Sequence, residues 1–183
     1  MSVTLKTIEM TLDPASIDNA IHEVEDFRKQ LEECLSELAK YLVDYGQYIA
    51  QLQLIEMDAN FTGALIDEGI RGWYHKDQHC GVIYTNKPYA MFVEFGTGFV
   101  GEVSEHHPVQ GEAVGWVHDV KEHGINGWWY PAPWGWWIPS EGKYAGKKMA
   151  WTNGMPSRPF MYNTLRELEK IAEEEGIDFF RTM

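Results

Sequence analysis

Three clusters in this 183-residue chain hold residue types that do chemistry. Gly96-Thr97-Gly98-Phe99-Val100-Gly101 fits G-x-G-x-x-G, the pattern whose glycines let a backbone approach a dinucleotide pyrophosphate. Histidines and carboxylates gather at Glu102, Glu105, His106 and His107, and again at His118, Asp119, Glu122 and His123. Three or four such ligands converging hold a divalent metal. "WWYPAPWGWW", residues 128–137, packs five Trp and one Tyr into ten positions, and exposed stacked rings of this kind grip sugars or proline-rich peptides.

Each pattern is tested by its context. A dinucleotide loop needs a helix starting inside the glycines, because the helix N-terminus binds the phosphate. Pro108, Gly111 and Gly115 follow, leaving no room for a helix with an apolar stripe, and Glu102, Glu105 and Glu112 put negative charge where phosphate would sit. Asp119, near the expected ribose position, does not offset this. No Gly-Lys-Ser/Thr of a P-loop is present. The glycines therefore read as a sharp turn with positive φ or close backbone approach, Thr97 bonding locally through its hydroxyl. The histidines form no H-E-x-x-H, and His118 and His123 are off the spacing of one helix face. His75 and His79 are separated by a turn-like Lys76-Asp77-Gln78. The Trp cluster reads as a core built by a loop, since these rings bury large areas; if exposed together, they mark an interface. Pro131, Pro133 and Pro139 keep the segment extended and limit ladder pairing. No G-x-S-x-G nucleophile occurs, and Cys34 and Cys80 lack an electropositive setting. With no CxxC pair, the two thiols read as reduced and give no cysteine zinc site.

Several elements must position these residues. Residues 3–12 alternate loosely and predict a first strand. Asp13-Pro14 is a helix-start signal. Ile17, Ile21, Val24, Leu31, Leu35, Leu38, Leu42, Tyr45, Ile49 and Leu52 then recur at three- and four-residue steps, with Phe27 or Arg28 at the gap. They form one stripe on a helix of roughly 40 residues, or roughly 60 Å. Two arrangements bury such a stripe: packing on another subunit, or two helices folded back near Gly46. Residues 60–87 predict a hairpin turning at Lys76-Asp77-Gln78. "KPYAMFVEF" is compatible with a short helix or a strand. Residues 99–150 form a long aromatic-rich insertion without helical periodicity. "SRPFMYNTLRELEKIAEEEGI" predicts a final helix, buried along Met161, Leu165, Leu168 and Ala172 and stopped at Gly176. The fold class is α+β: a long N-terminal helix and a C-terminal helix on a small, mainly antiparallel sheet, as one domain over 1–183.

The chain carries 28 acids against 15 bases, a formal charge of −13. That argues against nucleic-acid binding, which draws on Lys and Arg, and against anionic membrane surfaces or polyphosphate substrates. "EGKYAGKKMAW" is the sole basic patch, and it is short. No segment has the length and apolarity of a bilayer span, and the first residues lack a signal-peptide layout, so a cytoplasmic origin is expected.

Two phrases in order carry a resemblance: "YAMFVEFGTG", then, past the Trp-rich stretch with "GWWYP", "GMPSRPFMYNTLRELEK". Together with the order of elements, they resemble the tail-component family of long-tailed bacteriophages and prophages, comprising tail-completion and head–tail joining (neck) proteins. Tyr89, Ala90, Val93, Glu94, Phe95, Gly96, Thr97 and Gly98 match the first phrase, and Met155, Pro156, Arg158, Pro159, Phe160 and Met161 the second. The 99–150 insertion departs from shorter relatives. The resemblance implies a virion structural protein with no enzyme activity and no cofactor. It also implies a homo-oligomeric ring, expected to be a hexamer, that DNA passes through. Its expected partners are further copies of itself, tail tube or terminator proteins and head connector proteins, and its expected place is the virion neck. Arg158 and Glu94 are expected to pair, or to bond backbone, and so lock the last helix to the turn at Gly96. Two other classes stand beside this one: a carbohydrate- or cell-wall-binding module using the Trp cluster, and a metal-dependent hydrolase using the His-rich loops.

Overall fold

The computed structural model describes residues 8, 10–59, 63–105, 107–109, 115–118 and 126–181. The strand expected over 3–12 lies largely outside these, and residues 8 and 10–12 carry no strand. The first helix, α1, runs Pro14–Glu56, 43 residues without interruption. It begins as Asp13 and Pro14 dictate: the Asp13 carbonyl accepts the first helical bond from Ile17, and its carboxylate accepts the Ser16 N–H at 3.0 Å. The arrangement of two helices folded back near Gly46 is thereby corrected. Gly46 stays helical because its missing side chain admits neighbours: a Cβ there would lie 2.3 Å from Ile83 Cδ1 and 2.7 Å from Leu168 Cδ1.

Contacts along the chain divide the described fold into two compact units. The first holds α1 up to Ile49, the hairpin of β1 (Ile70–His75) and β2 (Cys80–Thr85) as far as Tyr84, and the last helix from Thr164 onward. The hairpin turns through a 3-10 turn at Lys76–Gln78 and a left-handed His79, as the sequence predicts. Its strands lie close on α1 at Gly72 and Gly81, where any Cβ would strike the Val43 side chain. Cys34, Val43, Ile49 and Ile70 are buried here.

The second unit spans Ala50–Gly69 and Thr85–Asn163. After α1 come one π-helical turn (Leu65–Gly69), α2 (Ala90–Phe95) and α3 (Gly98–Val103). The "KPYAMFVEF" stretch thus resolves as a helix. Strand β3 (Trp128–Pro131) pairs antiparallel with β4 (Met149–Thr152), so the insertion carries its own ladder; Pro131 stands opposite Met149, and the Ala132 N–H carries the pairing one step further to the Lys148 carbonyl at 2.9 Å. The last helix, α4, is Phe160–Arg181. It continues through Gly176, correcting the expected stop: one glycine costs a helix about 1 kcal/mol without ending it. Leu54, Leu65, Ala90, Val93, Phe95, Met149 and Phe160 form this unit's core. The α+β class stands, with two small antiparallel sheets among the described residues rather than one. Among the described residues, no helix is long and apolar enough to cross a membrane.

Candidate functional site

Glu94 lies at the centre of the two sequence phrases. On α2 it is only 6% exposed, a position a carboxylate holds only when fully hydrogen-bonded. It is. Oε2 accepts the Met161 N–H at 2.9 Å, and Oε1 accepts the Tyr162 N–H at 2.9 Å and faces His107 Nε2 at 2.8 Å. His107 Nδ1 lies 3.0 Å from the Val109 N–H and 2.9 Å from the Val109 carbonyl, while Nε2, facing a carboxylate oxygen that can only accept, donates to Glu94. The glutamate's own carbonyl accepts Ser157 Oγ at 2.7 Å.

Physically, this is a helix cap supplied from a distance. Pro159 occupies the cap position of α4, its carbonyl taking the first helical bond from Asn163, and proline has no side-chain acceptor for the next N–H groups. Glu94 satisfies those groups instead and places its charge at the positive end of the helix dipole. Arg158 performs the complementary task. Its Nε donates to the Met57 carbonyl at 3.0 Å, just beyond the end of α1, whose last turn contains no basic residue. Its backbone N–H also bonds the Val93 carbonyl at 2.9 Å. Of the two expected modes, Glu94 and Arg158 therefore bond backbone, each matching the sign of a different helix terminus. Phe160, fully buried, fills the core below.

The glycine turn sits against the second phrase. Thr97 and Met155 exchange both backbone bonds, at 2.9 and 3.0 Å. Gly96 has φ +76°, and a Cβ there would lie 2.7 Å from the Ser157 nitrogen. Two details correct the sequence reading. A helix does begin inside G-x-G-x-x-G, because α3 starts at Gly98; and Thr97 makes no side-chain capping bond. Three of the amides that would face a phosphate are occupied, however: Gly98 N–H bonds the His118 carbonyl, Val100 N–H that of Asn153, and Gly101 N–H that of Thr97. The pattern here serves internal packing.

The described histidines of the expected cluster turn inward separately. His107 joins Glu94, while His118 bridges the Phe95 carbonyl and Glu102, each at 3.0 Å. His106, Asp119, Glu122 and His123 lie outside the described residues. Among those described, no three His, Cys, Asp or Glu side chains converge as a metal site would require.

The tryptophans split into two sets, revising the expectation of a loop-built core. Trp116 and Trp128 cover the glycine turn: Trp116 Nε1 donates to the Gly96 carbonyl at 3.1 Å and its ring stacks on Phe95, while Trp128 lies over Gly98. Trp134, Trp136, Trp137 and Trp151 are exposed instead, Trp136 to 75%. Trp129 stands opposite Trp151 across the β3–β4 ladder, their rings 5.3 Å apart, and meets Trp136 at 4.9 Å and Trp137 at 4.8 Å. Gly135 makes this gathering possible: a Cβ there would lie 2.4 Å from the Met149 backbone, and the close approach lets Trp136 and Trp137 bond the Met149 carbonyl.

Of the sequence-named residues, Val93, Glu94, Phe95, Gly96, Thr97, Gly98, Pro156, Arg158, Pro159 and Phe160 belong to one unit around this joint, while Tyr89 is exposed at the start of α2. His107, Ser157, Tyr162, Met57 and Trp116 are partners that no local pattern announces. Comparison with protein-family models, with curated proteins and with solved structures returned no match.

Proposed function

We propose that this chain is a virion structural protein of a long-tailed bacteriophage or prophage, acting in tail completion or head–tail joining as a homo-oligomeric ring of six subunits. It works without catalysis or cofactor, is made in the bacterial cytoplasm and resides in the neck. The observation that carries the proposal is the joint itself: Glu94, the glycine turn and the Met155–Phe160 phrase spend their polar groups on one another and on two helix ends. That is the chemistry of a rigid building block. The charge of −13 is consistent with a lumen that repels DNA phosphates as they pass. Electron micrographs of tails assembled with and without the protein test it. Omission should leave tails with an unfinished head-proximal end that fail to join heads, and normal particles made in its absence would refute the assignment.

A second reading has its own observation. The exposed Trp134, Trp136, Trp137 and Trp151 suit a carbohydrate- or cell-wall-binding module. Glycan-array binding by the wild type that is lost on Trp134→Ala supports it; an array without signal removes it.

A further inference from the structure

Two exposed apolar surfaces of opposite charge lie on this one chain. The first is the leading half of α1. Every residue from Ile21 to Gln30 is exposed, although Ile21, Val24 and Phe27 lie on one helical stripe at 51%, 55% and 49% exposure. Between Pro14 and Leu38 there are seven acids and two bases, and both bases already pair on the helix, Arg28 with Glu32 and Lys29 with Asp26. The second is the β3–β4 face with Trp136, Trp137 and Trp151. From Trp128 to Thr152 it carries Lys143, Lys147 and Lys148 against the single acid Glu141, in a chain that is otherwise strongly acidic.

We infer that these two surfaces are the two halves of one interface: the tryptophan–lysine face of one copy seats on the acidic apolar stripe of α1 in the next. The inference rests on the ring proposed above and names its contact. Monomeric soluble proteins do not leave large contiguous apolar patches without a partner, and Trp is the residue type most enriched among interface anchors. The charges are complementary across the contact and alike within each face, so helix against helix or sheet against sheet is disfavoured while helix against sheet is favoured. A contact between different faces repeats from copy to copy and, when the rotation closes, gives a ring. The rings are also poorly arranged as a sugar platform: Trp136, Trp137 and Trp151 tilt by 69°, 46° and 70° from Trp129 rather than lying flat beside it. Tilted rings instead form knobs and slots for aliphatic side chains such as Ile21 and Val24.

The test is sedimentation of the full chain over rising concentration, with two variants at exposed positions. Trp136→Ala and Phe27→Asp each disable one face, and far-UV circular dichroism verifies that both remain folded. The wild type should sediment as a closed oligomer and each variant as a monomer. An equimolar mixture of the two variants should give a heterodimer, because each copy contributes one intact face. If both variants assemble like the wild type, this contact is wrong while the ring stands. Variants that stay monomeric when mixed also overturn it, since a helix-to-sheet contact must survive in the mixture. A wild type that is monomeric at every concentration overturns it too, leaving the ring to be judged on assembled tails. Should that monomer bind a soluble glycan with quenching of Trp fluorescence lost in Trp136→Ala, the face belongs to a sugar.

Discussion

The carboxylate of Glu94 accepts the backbone N–H of Met161 at 2.9 Å across 67 positions of sequence. A helix that begins on Pro159 and Phe160 thus takes its cap from another helix. Its burial and its three partners, the Met161 and Tyr162 N–H groups and the His107 ring, make Glu94 a keystone of the second unit.

Glu94→Ala leaves the Met161 and Tyr162 N–H groups and the His107 ring without their acceptor. From the usual worth of a cap and of a buried unsatisfied donor, the loss should be about 2–4 kcal/mol. Glu94→Gln keeps one acceptor oxygen and should lose less. Urea unfolding measures both, and an alanine variant within about 0.5 kcal/mol of the wild type, the range of ordinary surface substitutions, would falsify the capping role.

Arg158 provides a separate check on the joint. Arg158→Ala removes the donor to the Met57 carbonyl and the positive charge at the end of α1. A charged hydrogen bond contributes about 1.5–3 kcal/mol, and the half-buried position keeps solvent from replacing it fully. Arg158→Lys retains the charge and should recover part of the loss. Equal stabilities for alanine and lysine variants would show that the charge at the helix end contributes nothing. If the chain assembles in a phage as proposed, a destabilised Arg158→Ala chain should lower titre; normal titre and normal rings would count against the joint as an assembly element.

Two glycines at positive φ separate strain from steric overlap. Gly96 has φ +76° with backbone atoms 2.7–2.9 Å from a prospective Cβ, whereas Gly142 has φ +90° and open space around it. Gly142→Ala should cost only the left-handed backbone, about 1–2 kcal/mol. Gly96→Ala must also push Met155–Ser157 away and should cost clearly more. Thermal melts of the two variants give the order, and a reversed order rejects the packing of the turn described above.

The start of α1 responds to acid in a definite direction. The Thr11 hydroxyl first, and the Ser16 N–H second, hold the Asp13 carboxyl below the usual aspartate value of 3.8. A depressed folded pKa means the ionised form stabilises the fold. That contribution is complete above the unfolded value and disappears as pH falls through the folded one. Exchange protection of Ala15 and Ser16, the observed rate set against the intrinsic rate at each pH, should therefore hold from neutral pH down to about 4 and fall below it. Asp13→Ala should show low protection at every pH. Because Asp13 is fully exposed, added salt should weaken the effect; protection that ignores pH below about 4 contradicts the cap.

The parts of this fold legible in the sequence are those set by neighbours in the chain. The stripe from Ile17 to Leu52 announced α1, Asp13-Pro14 marked its start, and Lys76-Asp77-Gln78 located the hairpin turn. What the sequence hid depends on distant partners. Gly46 looked like a helix breaker because its reason, the approach of Ile83 and Leu168, lies elsewhere in the chain. Gly176 looked like a stop because propensity is a weak bias that helical context overrides. The joint was half visible: Glu94 and Arg158 stood out as charges within apolar phrases, yet only the fold shows that they serve two helix ends rather than each other. The tryptophans misled most, since Trp128 and Trp134 look alike in sequence and differ only in whether a glycine turn lies beneath them.

The paired backbone of Thr97 and Met155 has a consequence for how such a protein changes over generations. The insert between them leaves and returns through a single clasp, so its two roots are side by side. Apart from the residues that reach back to the joint, His107 on Glu94 and Trp116 on the Gly96 carbonyl, whatever grows from those roots can be lengthened or exchanged while Glu94, Arg158 and Phe160 keep their places. A lineage can thus re-tailor the outer tryptophan surface without having to reinvent the scaffold that carries it.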